Sequence, residues 1–77
     1  MTATDAPPLV YRAVVETRRK TRIDAIQELV ATNVYGPYGT LLAAREKVRT
    51  VATAIGNTAG FVGAGHVESS PVTWTTV

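Results

Sequence analysis

The chain has 77 residues, with eight Lys and Arg against six Asp and Glu and a formal charge of +2. A chain this short forms one small domain, spanning 1–77, that buries only about 60% of its unfolded surface, so its core has little margin over chain entropy. The lack of cysteine excludes disulfide support, and the mild basic excess falls short of the dense one-sided patch of dedicated nucleic-acid binders.

Residues 1–7 read as a short polar arm ending in Ala6-Pro7. They lack a basic start followed by an apolar stretch, so no secretory signal is expected and the location implied is intracellular or within a virion.

Residues 8–33 read as one long charged helix. Arg12, Glu16, Lys20, Asp24 and Glu28 recur every four positions, which on a helix stacks them as neighbours of mostly alternating sign. Asp5, followed by Pro7 and Pro8, supplies an acidic cap and prolines where a missing N–H costs nothing. The apolar residues are less orderly: Val10 and Val14 point away from Ile23, Ile26 and Val30, so the two ends of this helix bury against different neighbours. A competing pattern runs through 9–17, where Leu9, Tyr11, Ala13, Val15 and Thr17 alternate as a short strand would. The charge column, which crosses the whole segment, favours the helix. Arg18, Arg19, Lys20 and Arg22 form a basic waist on it, the candidate phosphate contacts if nucleic acid is a partner.

Val34-Tyr35-Gly36-Pro37-Tyr38-Gly39 reads as a turn of helix-connector length, with the tyrosines covering the hairpin end. Thr40 then caps a second helix over 41–55. Leu41, Ala44, Val48, Val51 and Ile55 fall at alternating steps of three and four, an apolar seam, with Arg45, Glu46, Lys47 and Arg49 off it. Gly56 and Asn57 are expected to end it in a left-handed stop.

From Gly56 onward four glycines, at 56, 60, 63 and 65, interrupt an uncharged stretch. Each would cost a helix about 1 kcal/mol relative to alanine, so 57–71 reads as loop or extended chain. Residues 72–77 read as a terminal strand with Val72 and Trp74 on one face, short of partners for its backbone within this chain. The expected fold is therefore all-α: a helical hairpin of 8–33 and 40–56 with an N-terminal arm and an extended, partly β tail.

Signals for chemistry are sparse. Asp24 and Glu28 lie one helical turn apart but lack further convergent ligands, and a solvated charged face explains them. His66 near Glu68, Ser69 and Ser70 has no scaffold to fix a nucleophile geometry. The glycines do not follow a phosphate-loop pattern. Residues 51–62 imitate a helix-turn-helix, yet its reading helix would lack side chains for base edges. The uncharged stretch is too short and polar for a membrane span. No catalytic, cofactor or metal site is expected, and an enzyme is not.

The expectation is a non-enzymatic structural or accessory subunit of a larger protein assembly, such as a shell or virus particle. Homo- or hetero-oligomeric partners would be met through Val10, Val14, Phe61, Val72, Trp74 and Val77. The alternative is a small nucleic-acid-binding or regulatory protein that uses the basic waist.

Overall fold

The computed structural model describes residues 8–21 and 26–72. The elements run β1 (Leu9–Lys20), β2 (Gln27–Tyr38), α1 (Leu41–Gly56) and β3 (Phe61–Pro71). The strands form an antiparallel sheet in the order β2-β1-β3.

The helical hairpin is thus overturned: residues 8–33 hold β1 and most of β2, not a helix. The physical reason lies in the charge column. A repeat of four is also a multiple of two, so Arg12, Glu16 and Lys20 share one face of a strand as readily as one stripe of a helix. The alternation through 9–17 is the pattern that prevails. It places Ala13 and Val15, both 0% exposed, beneath the helix, with β-branched neighbours suited to a pleated surface. The proposed cap at Asp5 and Pro7 lies outside the described residues.

Residues 34–39 are not a helix connector. β2 continues through them to Tyr38, accommodating Gly36 and the cis Gly36–Pro37 peptide as a bulge opposite Arg12, between the pairs Tyr11↔Tyr38 and Ala13↔Tyr35. Gly36 has φ +127°, and a Cβ there would approach the Tyr11 carbonyl to 3.1 Å. A second irregularity leaves Val30 unpaired between Thr17↔Ala31 and Arg18↔Leu29.

The second expected helix is α1. Thr40 is its N-cap, accepting a hydrogen bond from the Ala43 N–H at 3.2 Å. The left-handed stop is replaced: Asn57 keeps a right-handed φ of −80° and its N–H donates to Thr53 O at 3.0 Å. The turn into β3 falls at Gly60, where φ is +87°.

The glycine-rich segment, read as loop or extended chain, is β3, paired with β1 along its length from Arg19↔Phe61 to Leu9↔Pro71. Of the terminal strand expected over 72–77, Val72 alone is described. Val72 lies just past β3, its N–H donating to Pro8 O at 2.9 Å, and 73–77 lie outside the described residues. β3 itself pairs within its own chain, with β1.

β1 is central and antiparallel to both neighbours, so β2 and β3 run the same way and the β2–α1–β3 connection crosses over it. The core sits between α1 and the sheet, where Ala44 of the helix and Ala13 and Val15 of β1 are all fully buried. α1 lies mainly over β1 and β3, leaving β2 the less covered edge.

The candidate docking edge

Of the six exposed large apolar side chains among the described residues, three lie on β2 and a fourth just before it. Leu29, Val30 and Val34 of β2 are 49%, 46% and 54% exposed, and Ile26, just before it, is 53% exposed. β2 pairs with β1 alone, so alternate N–H and C=O groups along its outer side face no strand. Lys and Arg, the usual guards of such an edge, are absent from β2, whose only charged residue is Glu28. On the opposite edge, β3 carries its larger apolar residues Phe61, Val62 and Val67 half-buried and ends at Pro71.

The face of the sheet opposite α1 has a different character. Val14 on the central strand is 7% exposed, with Val34 and His66 as its cross-strand neighbours. Around it the face is polar and internally paired. Arg12 Nε donates to Glu68 Oε1 at 2.7 Å, and His66 Nε2 lies 3.0 Å from Glu68 Oε2. Arg18 donates to Glu16 at 3.2 Å. The His66 hydrogen bond and, next, that of Arg12 hold the Glu68 carboxyl below its ordinary range. A groove of about 480 Å³ opens beside this cluster, lined by Val10, Arg12, Val34, Pro37, Glu68 and Ser70.

The residues expected to meet partners are dispersed. Val10 is half-buried in the wall of that groove, Val14 is buried in the sheet, and Phe61 and Val72 are half-buried at the two ends of β3. Trp74 and Val77 lie outside the described residues. A helix over 8–33 and a turn over 34–39 leave no place for an apolar strand at β2; the β-branched content of Val30, Thr32 and Val34 is the signal for it.

The basic waist is divided by strand alternation. Arg18 turns to the open face and binds Glu16, whereas Arg19 turns the other way, 3.9 Å from Glu28. Lys20 is exposed at the strand end, and Arg22 and Asp24 lie outside the described residues. His66 is engaged by Glu68 and the Ser70 hydroxyl by the Pro71 carbonyl at 3.3 Å. Among the described residues there is no cluster of three metal-ligating side chains and no helix long and apolar enough to cross a membrane. The reading-helix position of the helix-turn-helix imitation is a turn followed by β3. The chain matches no protein-family model, and no curated protein or solved structure is significantly similar to it.

Proposed function

We propose that this chain is a non-enzymatic subunit of a protein assembly, of the kind that builds multi-subunit shells, virus particles included, and that it docks through the β2 edge. The observation that carries the reading is the coincidence on one strand of an unpaired backbone edge and exposed Leu29, Val30 and Val34. Solvent-exposed apolar edges are association sites unless charge or cover blocks them. The thin core adds a motive, since Ala13, Val14, Val15 and Ala44 are the buried apolar residues among those described, and small domains of this kind gain stability from partners.

The nucleic-acid alternative has less support. Its two central arginines are directed to opposite faces and each lies beside a carboxylate, which dilutes the continuous positive surface that phosphate binding requires.

The test is thermal unfolding of the free chain across a range of concentrations, with sedimentation in parallel. The expected result is association, with a midpoint that rises with concentration, or a lone chain without a cooperative transition. A monomer that unfolds cooperatively at a midpoint independent of concentration overturns the reading.

A further inference from the structure

We infer that the occupant of the β2 edge is a second copy of this chain, paired antiparallel about Asn33. The two three-stranded sheets then join into one of six strands. This rests on the assembly reading above and names its partner.

The irregularities of β2 define the segment. Val30 is unpaired on one side and Gly36–Pro37 form a bulge on the other, leaving 31–35 in regular register with β1. A bulge interrupts the regular ladder, so the stretch between the two irregularities is the one a neighbour can extend without a matching bulge. An antiparallel partner related by a two-fold axis at Asn33 sets Thr32 against Val34 of the other copy, twice, on the open face. It sets Ala31 against Tyr35, twice, on the helix side. β-branched and aromatic pairs of this type stabilise sheets, and the residue odd in number, Asn33, meets itself with an amide that both donates and accepts.

Charge favours a copy in this orientation. The segment 31–35 is uncharged, and Glu28 lies beyond the bulge, so no like charges of β2 confront each other. Arg18, Arg19 and Lys20 crowd one end of β1, near Gln27. A two-fold at Asn33 sends these basic ends in opposite directions. Six residues at about 3.4 Å each put either end roughly 20 Å from the axis and the two roughly 40 Å apart, several screening lengths at physiological salt. Parallel pairing would set them side by side. The same antiparallel arrangement shelters Val34 at the junction and brings Leu29 and Val30 alongside the Gly36–Pro37 bulge of the other copy.

The experiment is sedimentation equilibrium of the full chain and of two double variants, with circular dichroism to verify the fold of each. Thr32→Lys with Val34→Lys sets lysine against lysine across the junction. Thr32→Glu with Val34→Lys sets glutamate against lysine at the same places. The wild type is expected to dimerise, the lysine pair to weaken dimerisation by about tenfold or more, and the glutamate–lysine pair to restore most of the loss. Equal dimerisation of the two variants, or a dimer unaffected by either, overturns the inference while leaving assembly through another surface intact. A wild type that never self-associates also overturns it; the assembly reading then falls only if that monomer unfolds cooperatively.

Discussion

Val48 of α1 rests directly on the backbone of β3 at Gly65: a Cβ at Gly65 would lie 2.9 Å from Val48 Cγ1 and 2.6 Å from the Val14 carbonyl oxygen. Gly63, two residues earlier on the same face, leaves room for Ala52, whose carbonyl oxygen would be 2.6 Å from an added Cβ. Gly63→Ala and Gly65→Ala are therefore expected to destabilise the fold by about 1–3 kcal/mol each through overpacking. Gly39, with nothing within 4 Å of its Cβ position, serves as the control. Urea unfolding of the three variants decides the point, and equal midpoints would refute the close helix–strand contact.

Val15 is fully buried between α1 and the sheet, whereas Leu42 is exposed on the helix. Val15→Ala should cost about 2 kcal/mol from lost burial and residual cavity, and Leu42→Ala less than about 0.5 kcal/mol. The inverse order in denaturant midpoints would mean that the helix presents a different face to the sheet.

Thr40 holds the first turn of α1 by accepting from the Ala43 N–H. Thr40→Ala is expected to cost about 1 kcal/mol, and Thr40→Asp, which keeps an acceptor at the same place, much less. Thermal unfolding of the pair separates loss of the cap from loss of packing.

Glu68 titrates below its ordinary 4.5, chiefly through its hydrogen bond with His66 and then through Arg12. Because its folded-state pKa is depressed, its stabilising contribution is complete above the unfolded value and disappears as pH falls through the folded one. Carbon-detected NMR titration should place the Glu68 midpoint below 4.5, and His66→Ala should move it upward. A midpoint unmoved by His66→Ala would assign the depression to Arg12.

Some of this architecture was legible in the residues alone. Thr40 and the seam of Leu41, Ala44, Val48, Val51 and Ile55 specify α1 because an acceptor at the cap and a three-four spacing have no counterpart in a strand. The smallness of the core could also be read directly from length and composition.

The three strands were decided by contacts distant in sequence. A charge every fourth residue from Arg12 to Lys20 fits either geometry, and what selects the strand is backbone pairing with β2 and β3 and the burial of Ala13 and Val15. Glycine at 63 and 65 looks like a breaker until a helix is laid on it, when the missing side chain becomes the space that Val48, Ala52 and Ile55 occupy. Local spacing sufficed for the helix, whose hydrogen bonds close within four residues. The sheet and its open β2 edge required the tertiary structure, because a strand has no partner until the chain returns to it.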